Sequence, residues 1–426
     1  MKYLNQTKKQ SDITIDKIKK LQVFTDPIYG FIFIDYVVLK KLINTQPLQR
    51  LKKIKQLSFV NIVFNCAEHS RFSHSLGVYE LARRFIEINE KMFNKREELL
   101  LLTTSLLHDV GHGPFSHAFE QIAKINHERK SVQIIKENLE IVSILDEIDK
   151  DFKNDIADII LKKSKFPLIE QLITSSLDFD RLDYLKRDSF FSGISYGNID
   201  VNYLMRKIEI DDKNQNIVFN KSVICSIENY LISRYHMYCR LYNNKKVLGY
   251  TAIFIKLFER INYLFHQKYD FENLKNNGIL TLFKKFIDSK SNDISLYLQM
   301  NDNYINTLIM FLKNEKDAIL VNLSNDFLNR NIWLHTKDEE KIKKKFNYSE
   351  EDSRYYIYNY KKENKIDNTK KIIYDQKKDK ILIYENNKFD NITLDKTNTI
   401  IKKLLDEKIK KTDFYFFYRD KNLHNE

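Results

Sequence analysis

Residues 96–110, REELLLLTTSLLHDV, place apolar or small side chains on every face of a helix once the first turn is past. A helix on a protein surface keeps a polar side, so a segment like this one belongs at the centre of a helical assembly. The chain supplies the neighbours. SLGVYELARRFIEINEKMF puts Leu76, Tyr79, Ala82, Phe85 and Ile86 on one stripe. Helical periodicity returns in HERKSVQIIKENL, LIEQLITSSLDFDRLDYLKRDSF, SIENYLISRYHMYCRLYNNKKVLGYTAIFIKLFERI and INTLIMFLKNEKDAILVNLSNDFLNRNIW.

Strand signals are few before the C-terminus. VFTDPIYGFIFID carries a turn signal between apolar runs and reads as a short hairpin. SRYYIYNY, KIIYDQ, KILIYEN and DFYFFYRD are β-rich, with one helical pattern, NTIIKKLLDEKI, before the last of them. The expected fold class is mostly α. A polar tail occupies residues 1–20, a helical domain 21–345, and a small α+β subdomain 346–426 after a charged linker.

Composition excludes some classes. No apolar run approaches eighteen residues, so no membrane partner is expected. The start, MKYLNQTKKQSD, lacks an apolar signal core, and Cys66, Cys225 and Cys239 are scattered without zinc-ligand spacing. A reducing, cytoplasmic location fits both observations. The net charge of +13 is spread along the chain and keeps nucleotides and nucleic acid as candidate partners.

The chemistry is concentrated where the central helix ends. LLHDVGHGPFSH, residues 106–117, holds three histidines and one aspartate. Six of the ten histidines lie between 69 and 127: His69, His74, His108, His112, His117 and His127. Packing alone gives no reason for that density. Gly111 reads as a helix C-cap, after which His108 and Asp109 can turn toward one ion, and Pro114 suits the first turn of the next helix. An antiparallel preceding helix brings His74 level with His108. A fourth ligand is available in SSLDFDRLDYLKRD, from Asp178, Asp180, Asp183 or Asp188. Imidazoles and carboxylates without thiolate suit Fe, Mn, Zn, Co or Mg and leave positions open for water.

These stretches resemble the HD-domain metal-dependent phosphohydrolases. Within them, the chain is similar to deoxynucleoside triphosphate (dNTP) triphosphohydrolases of bacterial type, related to the vertebrate SAM-and-HD-domain dNTPase but lacking its SAM domain. The likeness rests on DPIYGFI, QRLKKIKQL, RFSHSLGV, HDVGHGPFSHAFE, NHERKS, DFDRLDYLKRD, RYHMYCRLYNNK and LNRNIW, in that order from about residue 23 to 335. The resemblance implies that His74, His108, Asp109 and Asp180 are the metal ligands. It implies catalytic and phosphate-contacting roles for His112, His117 and His127, with Glu120 where the vertebrate enzyme has Asp. Arg71 and Arg181 would contact base and phosphates, and Arg234 and Lys245 the distal phosphates. Tyr184 and Tyr242 would pack the sugar, and Gln56 and Asp188 would hold its 3′-hydroxyl.

The implied reaction releases deoxynucleoside and inorganic triphosphate from a dNTP. A divalent metal serves as cofactor, Mg²⁺ accompanies the nucleotide, and the enzyme is a homo-oligomer, dimer or tetramer. The alternative reading is an HD-type phosphodiesterase or nuclease acting on nucleic acid or cyclic nucleotides. It shares the same metal site.

Overall fold

The computed structural model describes residues 16–90, 92–211, 213–272, 278–290, 292–346, 348–361, 380–385, 388–394 and 414–420. It is mostly helical, as the periodicity predicts. Strand begins at Lys17, inside the stretch expected to be polar tail: β1 (Lys17–Asp26) pairs antiparallel with β2 (Gly30–Tyr36). Asp26 closes this hairpin by accepting the N–H groups of Ile28 and Tyr29 on Oδ1. Gly30 takes the positive φ of 78° that the turn needs.

Four helices build the wall that carries the histidines. They are α1 (Arg71–Ile88), α2 (Lys95–Leu107), α3 (His117–Ala123) and α4 (His127–Glu137). α2 is the segment that is apolar all round, and Leu99 through Leu107 are buried without exception. Its start is set by a capping box between Asn94 and Glu97. α5 (Phe179–Ser192), α6 (Ile224–Met237), α7 (Lys245–His266) and α8 (Ala318–Leu328) complete the surround. α1 packs on both α2 and α5. After Met237 the chain makes one π-helical turn, Tyr238–Tyr242. Such turns widen a helix and recur at functional sites.

Two further sheets were not read as such from the pattern. β3 (Ile208–Asp211) and β4 (Asn216–Asn220) form a hairpin inside the stretch expected to be helical. β5 (Leu334–Thr336) and β6 (Ile357–Lys361) flank β9 (Phe414–Tyr418), both antiparallel to it. β7 (Leu382–Glu385) pairs parallel with β4 and antiparallel with β8 (Lys388–Thr393). Both sheets therefore combine strands from before residue 345 with strands from after it. One hydrophobic core runs continuously from Ile32 and Ile34 to Leu394 and Phe417. The segment SRYYIYNY divides between a short helix (Glu350–Tyr356) and β6. KIIYDQ and NTIIKKLLDEKI lie outside the described residues. Among the described residues no helix is long and apolar enough to cross a membrane.

Candidate active site

α2 ends at Leu107, and His108 and Asp109 stand on the turn beyond it. Gly111 does not cap the helix in a left-handed conformation. Instead it admits α4: a Cβ there would lie 2.2 Å from Ser131 N and 2.4 Å from His127 O. The next helix starts at His117, three residues later than Pro114 suggests, after Phe115 and Ser116 take φ of 52° and 51°. That costly backbone is clamped. Asp302 accepts the N–H of Phe115 (2.7 Å) and of Lys55 (3.0 Å), and Ser116 Oγ donates to Lys55 O.

The first cluster comprises His74, His108 and Asp180, whose ligand atoms all lie within 4.8 Å of one another. Asp180 Oδ1 is 3.1 Å from His74 Nε2 and 3.9 Å from His108 Nε2. Asp109 stands a step further out, 3.6 Å from each imidazole. Two ligands about 2.1 Å from a shared ion sit roughly 3 to 3.5 Å apart, so the 3.1 Å pair fits a coordination sphere and the 3.6 and 3.9 Å separations lie just outside it. The other ring nitrogens are already held: His74 Nδ1 at 2.8 Å from Asp183 and His108 Nδ1 at 2.9 Å from Ser105 O. Both Nε2 atoms are buried; His74 Nε2 has only Asp180 within reach, and His108 Nε2 makes no hydrogen bond. Burial opposes a charge on His74, yet hydrogen bonds to Asp180 and Asp183 outweigh it and lift the imidazole to about 10. The carboxylates thus demand positive charge at this point, as a proton or a metal ion. Asp109 is likewise held well below the usual carboxylate range: burial opposes this, but His112, His108 and Arg71 prevail. The residues fit a divalent cation.

The second cluster comprises His112, His117, Glu120 and His127. All three Nδ1 atoms point at Glu120 Oε1, at 3.5, 3.0 and 2.9 Å respectively. His112 stacks on His127 with ring centres 4.0 Å apart. Burial works against ionising Glu120, but hydrogen bonds from His117 and His127 pull its carboxyl far down. The bond to Glu120 raises His127 despite burial. Burial, reinforced by Arg71 and His127, pushes His112 well down. One cluster therefore holds a neutral imidazole beside one that favours its proton.

A cavity of about 490 Å³, within the range of ligand pockets, reaches the first cluster at Asp180 and the second at His112, His117 and His127, while His74, His108 and Glu120 stand behind its lining. Of the residues expected from sequence, Gln56, Arg71, Asp109, His112, His117, His127, Asp180, Arg181, Tyr184, Asp188, Arg234 and Tyr242 line it. Arg71 is committed to the protein, with bonds to Asp109, Ser116 and Gln56 O. Arg181 and Arg234 each keep a buried Nε without a partner, and so does Gln56 Oε1. Tyr242 donates to Asp188 Oδ2 at 2.6 Å, while His69 Nε2 lies 2.8 Å from Asp188 Oδ1. Tyr184 meets Tyr242 edge-on, with ring centres 6.3 Å apart. Lys245 is not brought to the cavity: it is exposed at the start of α7, its ammonium 4.5 Å from the centre of the Tyr415 ring. Tyr238, Thr251 and Gln121 line the cavity without having been expected there. Tyr238 stands four residues before Tyr242 on the π turn, a spacing that puts both on one side.

Comparison with known proteins agrees with this geometry. A family model described as the HD domain matches residues 71–188, the stretch that contains both clusters. YwfO of Bacillus subtilis, an uncharacterized protein, is 33% identical over 80% of this chain and 76% of its own. A Dictyostelium discoideum protein named as a homologue of the deoxynucleoside triphosphate triphosphohydrolase SAMHD1 is 31% identical over 55% of this chain and 48% of its own. Among solved structures, a phosphohydrolase from Bacteroides thetaiotaomicron superimposes with a TM-score of 0.80 at 26% identity, over 94% of this chain and all of that one. The two orphaned imidazoles beside two carboxylates, the matched stretch around them and the shared overall fold agree that the chain belongs to the HD-domain phosphohydrolases.

Proposed function

We propose that the protein hydrolyses deoxynucleoside triphosphates to deoxynucleoside and inorganic triphosphate. One observation carries this reading: a single cavity is lined by Asp109 and Asp180 beside the metal-type cluster, by His112, His117 and His127, by Arg181 and Arg234, and by the Tyr242–Asp188 pair. The likeness to proteins named as dNTP triphosphohydrolases supports it.

His74, His108, Asp109 and Asp180 would hold the divalent ion. When bound, that ion supplies Lewis acidity, polarising a phosphoryl oxygen and acidifying water. The chain's own residues do the rest. Arg181, which also pairs with Asp178, and Arg234 line the cavity and would bind the triphosphate, where guanidinium suits phosphate geometry. His117 bonds Glu120 through Nδ1, which leaves Nε2 to carry a proton into the cavity. Water adds its oxygen to the α-phosphorus and releases one proton to solvent, the bond to the 5′-oxygen breaks, and His117 delivers the proton that the leaving oxygen needs, regaining one from solvent afterwards. Glu120 and His127 return the histidine to its starting state. Tyr242 and Tyr184 enclose the sugar, and Gln56 and Asp188 take its 3′-hydroxyl.

The direct test incubates purified protein with each dNTP and with Mn²⁺, Mg²⁺ or Co²⁺, and resolves the products by chromatography. Deoxynucleoside and triphosphate in equal amounts are expected. Shortened oligonucleotides or opened cyclic nucleotides, with dNTPs untouched, would replace this reading by a phosphodiesterase.

A further inference from the structure

A buried run of charges stands behind His74, on the side of the ring opposite Nε2. Asp183 Oδ2 lies 2.8 Å from His74 Nδ1. The Arg187 guanidinium grips that carboxylate by both oxygens, Nε to Oδ2 and Nη2 to Oδ1, each at 2.9 Å. Its remaining Nη1 donates to Asp26 Oδ2 at 2.8 Å. Asp26 is the last residue of β1, and its other oxygen closes the hairpin turn. Asp183 and Arg187 are fully buried, and Asp26 nearly so.

Burying such a group is weak evidence for stability, because stripping water from three charges offsets most of their attraction. Another reason for its presence is visible on α1. Gly77 follows His74 by one turn, and a Cβ on it would lie 1.9 Å from Asp183 Oδ1 and 2.4 Å from Arg187 Nη2. A glycine inside a helix is unfavourable relative to alanine. Here it makes room for the pair to reach the histidine.

We propose that Asp183, Arg187 and Asp26 are positioning residues for the metal centre, and that they tie its affinity to closure of the N-terminal hairpin. The inference rests on the metal reading of His74, His108, Asp109 and Asp180. A neutral imidazole has one N–H and one lone pair. An acceptor-only carboxylate at Nδ1 places the N–H there, and the lone pair at Nε2 faces Asp109 and Asp180. Arg187 stops the Asp183 carboxylate from turning, and Asp26 stops Arg187 from turning. Outer partners of metal-bound histidines typically change metal affinity about 10- to 100-fold.

The test is calorimetric titration of Mn²⁺ into the full-length protein, stripped beforehand with chelator. It compares wild type with Asp183→Asn, Asp26→Asn and Asp326→Asn. The last is a control that removes a buried carboxylate bonded to Trp333 and Arg419 and touching neither cluster. Asp183→Asn is expected to weaken Mn²⁺ binding about 10- to 100-fold. Asp26→Asn should weaken it less, since an asparagine oxygen still closes the turn while the bond to Arg187 is lost. Asp326→Asn should lower the melting temperature and leave Mn²⁺ affinity unchanged. Side-chain ¹⁵N NMR of the protein loaded with diamagnetic Zn²⁺ should find the His74 Nδ1 proton held and slowly exchanging in wild type and exchange-broadened in the two chain variants. If Asp183→Asn does not fold, Asp26→Asn decides alone. Equal Mn²⁺ affinity in wild type and every folded variant overturns the positioning role and leaves the metal centre standing. Failure of wild type to bind Mn²⁺ overturns both.

Discussion

Two histidine clusters share one cavity and are built in opposite ways. In the first, each ring has a partner of its own, Asp183 for His74 and the Ser105 carbonyl for His108, and both rings are buried. In the second, three rings share a single oxygen of Glu120, and side-chain exposure climbs from 1% at His112 through 21% at His127 to 65% at His117. Rings with separate, fixed partners present lone pairs in one geometry, which is what a cation needs. Rings that share one acceptor can exchange protons among themselves and with a ligand. On this difference rests our proposal that the first binds the ion and the second handles protons.

The largest effects should follow from breaking the first cluster. His108→Ala or Asp180→Ala is expected to abolish metal binding and hydrolysis together, with the helical circular dichroism unchanged. Elemental analysis that finds full metal occupancy in either variant would remove the cluster from this role. The second cluster should break differently. His117→Ala should keep its metal and lose about 10²- to 10⁴-fold in turnover, the usual contribution of a general acid. A variant within about twofold of wild type would show that the proton comes from elsewhere.

The cavity's far end sharpens the contrast, because it should govern selectivity more than rate. Tyr242 is held against Asp188, and we expect its ring to leave no room for a 2′-hydroxyl. Ribonucleotides should then be poor substrates, and dideoxynucleotides, which lack the 3′-hydroxyl that Gln56 and Asp188 would hold, should turn over roughly 5- to 150-fold more slowly, the range that an unpaired buried polar group commands. Tyr242→Ala should narrow that gap. Equal rates for GTP and dGTP would return Tyr184 and Tyr242 to ordinary packing.

Much of the first cluster was legible because its signal is local. RFSHSLG and HDVGHGPFSH keep their ligands within a few residues of helix ends, and the all-apolar helix between them has one place to go. Asp180 was one of four candidates by residue type alone, since four aspartates share its segment. The Asp26–Arg187–Asp183 chain was not legible: its members are 161 and 4 residues apart in sequence, and only packing brings them together. Gly77 was the trace it left, an isolated glycine inside a strongly helical pattern. The β3–β4 hairpin did carry a signal, IEIDDKNQNIVFN, with apolar alternation on both sides of a polar turn. Its parallel partner β7 lies more than 160 residues downstream, so no local pattern announced the sheet. Lys245 was expected among the phosphate contacts, yet as the first residue of α7 it points away to Tyr415.

The smallest change in rate, and the finest test of the contrast, comes from Glu120→Gln. The second cluster depends on a charge pair, so its stability should follow pH. His127 is raised in the folded protein, so its contribution is complete below the ordinary histidine value of about 6.5 and fades as pH rises through the raised one. Glu120 is lowered, so its contribution is complete above about 4.3 and fades as pH falls through the lowered value. The pair therefore stabilises most between these limits. Glu120→Gln should lower the melting temperature most near pH 5.5, with the deficit shrinking above the His127 transition. NMR should show the His127 titration moving down toward the ordinary value, while metal content stays at wild-type level and turnover falls less than in His117→Ala. A pH-independent deficit with an unmoved His127 would mean that Glu120 is a packing residue, and the two clusters would then differ in burial alone.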